Sequence, residues 1–430
     1  MTKISQVSSP SLVRSWCVVL AAALFFFYIF IQMSLFNTIS SDLVKEFHFN
    51  ATQLGNLAAF YFNGNVLFLF PAGILLDRFS VRNLLLTAFV VTVVATYVFS
   101  TTSDFWMMTA TRLAVGLAGS FCLLAAIKLA TRWFEPRHMA LVIGIVVTMA
   151  MFGGTIAQTP MALLTQNFGW RGAMQIVAAF GALLMILQFV IVRDEPKGSE
   201  KTEVVEHVKL EQIGFWRSLG MAIASMQNWL SGLYICLVNL PIFIFGMAWG
   251  VPYLTQAHHL TPIEATQATS MLFIGMMIGS PLAGIISDKL GLRKLPMIVG
   301  AILTLAAVLI IMFAPDMPLW AVICQFLFLG LASSLQVIGY PVIAESNPHT
   351  ITATASSLGS ILIMSGGMLI PIFGWLLDMS GNPTIVDNVA MHSLADFTRA
   401  NFMMVVGLVI ALIASLLIKE TYCKQLNQKN

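Results

Sequence analysis

The chain has 430 residues, of which 58% are hydrophobic and only 10% charged, and its net charge is +3. A soluble domain carries about 25% charged residues, so a soluble enzyme is excluded. Twelve apolar stretches of the roughly 20 residues that a bilayer crossing requires also leave no length for a separate catalytic domain. The small positive charge is no sign of nucleic-acid binding, because the bases sort by membrane side, as shown below.

Residues 1–13 are polar, and the apolar run from about Trp16 to Phe36 contains Gln32 and is followed by no small-residue cleavage site. It reads as helix 1 rather than a signal peptide. Helices 2 to 12 are predicted near 53–76, 83–102, 105–130, 139–163, 172–192, 229–254, 265–287, 295–314, 318–344, 353–377 and 401–418. The Asn50-Ala51-Thr52 triplet before helix 2 is either an ordinary helix start or a glycosylation acceptor. Between helices 6 and 7 the segment from Arg193 to Arg217 is charged at first. It then becomes amphipathic through Leu210, Ile213, Phe215 and Trp216, as a linker entering an interfacial helix would. The expected organisation is therefore a six-helix bundle over 1–192, a linker over 193–228 and a second bundle over 229–430. Cys17, Cys122, Cys236 and Cys324 fall inside apolar runs and Cys423 lies in the tail, so no disulfide framework is implied.

Counting Lys and Arg on alternate sides of the spans sets the orientation. With the amino terminus inside, 17 bases fall in cytoplasmic segments, three outside (Lys45, Arg171, Arg399) and two within helix 4 (Arg112, Lys128). Both termini are thus expected in the cytoplasm, in a multi-pass protein of the cell (inner) membrane.

Two stretches 211 positions apart make the chain a repeat: Gly73-Ile-Leu-Leu-Asp77-Arg78-Phe-Ser-Val-Arg82 and Gly284-Ile-Ile-Ser-Asp288-Lys289-Leu-Gly-Leu-Arg293-Lys294. Each lies between two apolar runs, and Ser80 in the first stands where Gly291 stands in the second. Val-Gly-Leu-Ala-Gly-Ser (115–120) is echoed by Leu-Gly-Leu-Ala-Ser-Ser (329–334), and Pro136 and Pro348 precede helices 5 and 11 at matching places. The paired stretches resemble the loop between the second and third helices of the major facilitator superfamily, Gly-x-x-x-Asp-Arg/Lys-x-Gly-Arg-Arg/Lys. The resemblance covers the whole chain. It implies an all-α integral membrane fold, with twelve transmembrane helices in two pseudo-symmetric six-helix bundles and a substrate site at mid-depth between them. It also implies a cytoplasmic gate at Gly73, Asp77, Arg78, Arg82, Gly284, Asp288, Lys289 and Arg293. There Asp77 faces the start of helix 11 and, by the repeat, Asp288 faces the start of helix 5.

A charge at bilayer depth costs about 2.5–3.5 kcal/mol on insertion scales, which makes Arg112 a functional candidate. Gly116 and Gly119 on the same face let a neighbouring helix approach closely. Its counterpart in the second half is Phe326, so the repeat does not require the charge. Arg112 reads either as the partner of a substrate carboxylate or phosphate, or as a cation bonded to the carbonyls of adjoining helices. Lys128 lies nearer the cytoplasmic end, where it can snorkel. Helices 1, 4, 7 and 10 line the cavity in proteins of this resemblance, which adds Tyr28, Gln32, Tyr234, Asn239, Gln336 and Tyr340 as substrate-binding candidates, with Gln325 and Trp249 on the same helices. Asn56, Asn63 and Asn65 in helix 2 read as interhelical hydrogen-bonding groups.

No Asp or Glu falls in the middle third of any predicted span, so no buried carboxylate proton carrier is visible; Asp42, Glu46 and Glu345 are the nearest. Helix 5 lacks the Gly-Pro pair of drug/proton antiporters. The expectation is a secondary transporter of a small organic solute such as an organic anion, amino acid or short peptide. It would be monomeric and set in a lipid bilayer, coupled to a proton or another ion, with no cofactor and no metal. A multidrug efflux antiporter and a non-transporting membrane sensor of the same fold are the alternatives. The Arg112-to-Trp133 stretch is similar to the lysosomal dipeptide transporter branch of the superfamily, with Ser120 in place of an acidic residue there. No Gly-x-x-x-x-Gly-Lys-Ser/Thr loop for ATP is present, so the energy must come from a gradient or from exchange.

Overall fold

A bilayer cannot hydrate backbone N–H and C=O groups, so a long apolar run satisfies them within itself as an α-helix. The computed structural model describes residues 12–134, 139–195, 215–313, 317–348, 352–379, 384–386 and 389–424. Among these residues, ten stretches are long and apolar enough to cross a membrane, and a bent pair supplies a further one. The stretch Val142–Ile191 is two crossings in one, because Gly169 leaves the helical region (φ 69°, ψ 164°) and the chain turns back there. The fold is the expected twelve-helix, all-α membrane fold, to which a small antiparallel hairpin is added: β1 (Thr384–Val386) pairs with β2 (Val389–Met391), Ile385 opposite Ala390.

Helix 1 is Leu12–Phe47, helix 2 Ala51–Arg78 and helix 3 Val81–Thr101. Helix 4 is Phe105–Gly119 continued by Cys122–Trp133. Helix 5 is Met139–Ile156 and the part of Thr159–Ile191 before Gly169; helix 6 is the remainder. The short helix Phe215–Ala224 precedes helix 7, which is Met226–Val238, a widened π segment Ile242–Trp249 and Gly250–Ala257, bent by 42°. Helices 8 and 9 are Pro262–Leu290 and Lys294–Phe313. Helix 10 runs Leu319–Ser333, tightens to a 3-10 turn over Ser334–Ile338 and ends with Gly339–Glu345. Helix 11 is Thr352–Ser365, a 3-10 turn Gly366–Leu369 and Ile370–Asp378; helix 12 is Leu394–Leu417. The start of helix 1, the end of helix 12 and the 2–3 and 8–9 loops share one face, called here the terminal face. Leu210 and Ile213 of the expected interfacial helix lie outside the described residues.

Two boundaries depart from expectation by more than five residues. Helix 1 runs eleven residues past Phe36, because Asn37, Thr38 and Ser40 are buried against neighbouring helices rather than hydrated. Helix 12 starts at Leu394, where Ser393 and Asp396 form a capping box. Asn50 is the N-cap of helix 2, accepting from the Gln53 N–H at 2.7 Å, which makes the triplet there a helix start.

The repeat is also a repeat of packing. A Cβ on Gly116 would lie 2.0 Å from the Tyr61 carbonyl oxygen and one on Gly64 2.5 Å from that of Leu113, so helices 2 and 4 cross backbone to backbone. In the second half Gly330 meets the Leu272 oxygen at 2.2 Å and Gly275 that of Leu327 at 2.4 Å, the same crossing between helices 8 and 10. Such close approach is what glycine permits between membrane helices. The loops after helices 6 and 12 also correspond. Asp194 accepts from the Arg82 N–H (2.8 Å) and the Ser80 hydroxyl at the start of helix 3, and Glu420 accepts from the Arg293 and Lys294 N–H groups (both 2.8 Å) at the start of helix 9. A carboxylate at a helix start meets unpaired N–H groups and the positive end of the helix dipole. The Ser80-for-Gly291 exchange follows from different turns. Gly291 ends helix 8 in the left-handed region (φ 65°), whereas Ser80 is a non-helical N-cap (φ −57°, ψ 122°) whose hydroxyl accepts from the Asn83 N–H. Outward, Val94, Leu183, Ile186, Ile286, Val406 and Ile413 are among the apolar side chains left exposed, as lipid contact requires.

Candidate functional site at the seam between the halves

Helices 5, 7 and 11 break at the seam where the two halves meet, on the part of the molecule away from the terminal face. The widened turn of helix 7 leaves the carbonyls of Phe245 and Gly246 turned toward the first half. Asn37 of helix 1 donates to the Phe245 oxygen (3.2 Å) and accepts from the Val251 N–H (3.0 Å). Gln158, at the break in helix 5, donates to the Gly246 oxygen (3.0 Å) and accepts from Thr269 Oγ1 of helix 8 (2.8 Å) and from Asn37 Nδ2 (3.1 Å). Asn37, Gln158 and Thr269 have no solvent exposure, so these bonds form in a dry seam.

Two further contacts flank this node. Asp378, the last residue of helix 11, accepts from the N–H groups of Ala51 (3.1 Å) and Thr52 (2.8 Å) and from the Thr52 hydroxyl at the start of helix 2. Here a carboxylate of one half holds a helix start of the other. Nearer mid-depth, a Cβ on Gly367 would collide with the ring of Phe62, and one on Gly154 with the ring of Phe273. Phe62 and Phe273 are 211 positions apart, and Gly153-Gly154 and Gly366-Gly367 are the matching pairs in helices 5 and 11. The seam is thus closed on this face by two quasi-equivalent ring-on-glycine contacts, a helix-capping carboxylate and a buried amide node.

Of the residues singled out from the sequence, Gln32 and Arg112 come together. Arg112 is 4% exposed, its Nη1 donates to the Gln32 carbonyl oxygen (2.8 Å), and its guanidinium lies 5.4 Å from the Phe36 ring and 5.6 Å from that of Tyr61. Arg112 Nε and Gln32 Nε2 have no acceptor among the described residues. With Gln32, Thr96, Thr111 and Met174 this arginine borders a void of about 10 Å³ inside the first half, the size of one water at most. Phe326 in the second half packs on Phe245 (5.8 Å between ring centres), so an aromatic ring takes the place that the guanidinium fills in the first. Tyr28 donates to the Val177 oxygen (3.1 Å) and stacks on Phe89, within the first half. Tyr234 reaches the Leu335 oxygen at 3.5 Å, within the second. Asn239 is buried at the bend of helix 7, where its carbonyl accepts from Ile242 (3.0 Å) and Phe243 (3.3 Å). Gln336 is buried in the tightened turn of helix 10 with Oε1 lacking a donor among the described residues, and Tyr340 is half-buried one turn on. Asn65 lies 3.5 Å from the Gly116 oxygen. Lys128 donates to the Leu76 oxygen at the end of helix 2.

On the terminal face, the side chain of Asp77 and residues 135–138 and 349–351, which lead into helices 5 and 11, lie outside the described residues. Gly73 and Gly284 would meet nothing within 4 Å, and Arg78 and Lys289 are exposed. Arg82 donates to the Phe189 oxygen (2.8 Å) and lies over that ring (4.9 Å). Arg293 bridges Asp288 (2.7 Å) and Glu345 (2.8 Å). Burial opposes the charge on Arg293, but its bonds to Glu345 and Asp288 outweigh this and hold its pKa above the ordinary value. Burial likewise opposes the charge on Glu420, and the N–H groups of Arg293, Lys294, Tyr422 and Thr421 hold its pKa below the ordinary carboxylate value.

Asn37, Gln158, Thr269 and Asp378 escaped the sequence reading. Lone amides and hydroxyls in apolar runs carry no sidedness, and Asp378 sits just past a span, where acids are common. The Gly-Gly pairs in helices 5 and 11, 213 positions apart and so close to the 211-residue repeat, were the legible signal.

A family model described as Major Facilitator Superfamily matches residues 20–250 and 232–429. The lysosomal dipeptide transporter MFSD1 of Danio rerio is 23% identical over 79% of this chain and 77% of its own length. The galactarate/D-glucarate transporter GudP of Bacillus subtilis, itself described as probable, is 24% identical over 73% of this chain and 74% of its own length. Among solved structures, a bacterial homologue of the human lysosomal transporter Spinster, inward-facing and unoccupied, superposes with a TM-score of 0.74 at 20% identity, covering 96% of this chain and 97% of that one.

Proposed function

The chain belongs to the major facilitator superfamily, and we propose that it moves a small organic solute bearing a carboxylate by alternating access, driven by a gradient. Family membership makes it a multi-pass membrane solute transporter; the cargo, the driving force and the mechanism are our reading. The observation that carries the reading is the seam. Among the described residues its hydrogen bonds are few, they join two bundles of like build, and they gather toward the face opposite the terminal one. This is one arrangement of a two-state element, in which 1–192 and 229–430 rock about a mid-depth site and 193–228 tethers them.

Two observations favour a carboxylate. Arg112 is a buried cation whose one described acceptor is a backbone carbonyl, and it retains donor capacity that suits a planar anion. The two relatives named above are described as a dipeptide transporter and a probable galactarate/D-glucarate transporter, and both kinds of cargo bear carboxylates. The 17-to-3 distribution of bases supports a cytoplasmic terminal face, in a protein of the cell (inner) membrane. A thiol-reactive impermeant reagent should therefore label a Ser199→Cys variant only in opened cells.

The test of function is uptake by proteoliposomes of a panel of dipeptides, aldarates, hexuronates, and neutral and cationic solutes, with and without an imposed pH gradient. Saturable uptake confined to carboxylate-bearing solutes is expected. Saturable uptake of neutral or cationic solutes alone would overturn the cargo assignment.

A further inference from the structure

A second cavity, of about 170 Å³, opens between the halves on the face opposite the terminal one. Its wall comes from both halves: Lys45, Phe49 and Leu54 from the first, and Trp249, Gln256 and His392 from the second. A cavity of about 150 Å³ suffices for benzene, so this one has room for a single ring with a small substituent. Trp249 is 2% exposed, and its indole N–H has no acceptor among the described residues, although buried donors are normally paired. The second half's part of the wall is braced, since the His392 N–H donates to Gln256 Oε1 at 3.0 Å.

The charges around the cavity divide clearly. Lys45, on the rim, is its full positive charge, and it interacts with Asp42 of the same helix. Burial holds the His392 imidazole below its ordinary pKa, against the pull of Asp378 and Asp396, so it is neutral at pH 7. Asp378 is engaged by the start of helix 2, and Glu46 by Trp170 (2.6 Å) and Arg171 (2.7 Å). An apolar enclosure with an unpaired N–H and one cation at the rim suits an aromatic anion.

We propose that this cavity is a binding site for a small aromatic anion, with the ring among Phe49, Leu54 and Trp249, an acceptor for the Trp249 N–H and the anionic group toward Lys45. Because the wall is completed only when the halves meet on this face, the occupant binds that arrangement alone and stabilises it by mass action. It would then slow the return of the carrier without competing for the mid-depth site.

Benzenesulfonate, which stays ionised at all working pH values, is a suitable probe. The full chain in lipid nanodiscs is melted against increasing benzenesulfonate, together with Lys45→Gln and Trp249→Phe variants. Lys45 is exposed, so its variant folds whatever becomes of the other. The wild type should show a saturable rise in Tm, with half-saturation shifted at least tenfold upward in each variant, and toluenesulfonamide, which lacks the charge, should behave as benzenesulfonate does on Lys45→Gln. No saturable rise in the wild type, or wild-type half-saturation in a folded variant, overturns the proposal. Neither result bears on the cargo of the mid-depth site.

Discussion

Gln158→Met keeps the length of the side chain and removes its amide, and with it the bonds to Thr269 and to the Gly246 carbonyl that cross the seam. A hydrogen bond contributes about 0.5–1.5 kcal/mol net, and measured interhelical bonds in membranes average about 0.6 kcal/mol. Two such bonds therefore favour the arrangement closed on this face by about 1–3 kcal/mol, and each 1.4 kcal/mol is tenfold in population. The variant should shift the balance toward opening on this face by about fivefold to a hundredfold. Asn37→Leu, which removes the bonds to the Phe245 oxygen and the Val251 N–H, should act the same way. The reporter is a single cysteine at Ser34, fully buried one turn of helix 1 from Asn37, in a protein without its native cysteines. Its alkylation rate is measured with an impermeant reagent in right-side-out and inside-out vesicles. The rate from the face opposite the termini should rise by the stated factor in both variants. Unchanged rates in both, in protein that still transports, would refute the assignment of the amide node to this closure.

Gly116→Ala places a methyl group 2.0 Å from the Tyr61 carbonyl; the overpacking should destabilise by about 1–3 kcal/mol or more and lower Tm, whereas Gly73→Ala, with nothing within 4 Å, should not. Arg112→Gln should weaken uptake of a carboxylate solute by about 2–5 kcal/mol in apparent affinity, far more than Lys128→Gln, which gives up a bond to the end of helix 2; kinetics of uptake in folded variants decide the ranking. Glu420 has a folded pKa below its ordinary 4.5, so its anchoring of helix 9 is present above about pH 4.5 and drains away as pH falls through the lower folded value. The Tm difference between wild type and Glu420→Gln should accordingly be largest at neutral pH and vanish in acid.

Much of the fold was legible because membrane burial writes itself as long apolar runs, and because two copies of one loop stand 211 residues apart. Helix 1 was read too short for a reason that matters to function. Its polar residues beyond Phe36 looked like the water-facing end of a span, yet Asn37 and Ser40 are buried because the second half covers them. Composition tracks burial only when the partner is lipid or water; where the partner is another bundle, an amide can be as buried as a leucine if it is bonded. The same holds for the site. Arg112 stood out as a charge in an apolar run, and the structure encloses it within one half. Asn37, Gln158 and Asp378, which join the halves, carry no signal that distinguishes them from other polar residues until the partner helices are in place. The hairpin Thr384–Met391 was missed because strands of three residues have too little alternation to read.

Alternating access is tested most directly by fixing the seam. Thr52 and Asp378 touch across the halves, so cysteines at both positions, in a background without the native five, can be joined by an oxidant. The measurement is uptake of a carboxylate solute by proteoliposomes before oxidation, after it and after reduction. The cross-linked protein should be inactive and regain its rate on reduction, with neither single-cysteine variant affected by the oxidant. Undiminished uptake by fully cross-linked protein would contradict alternating access.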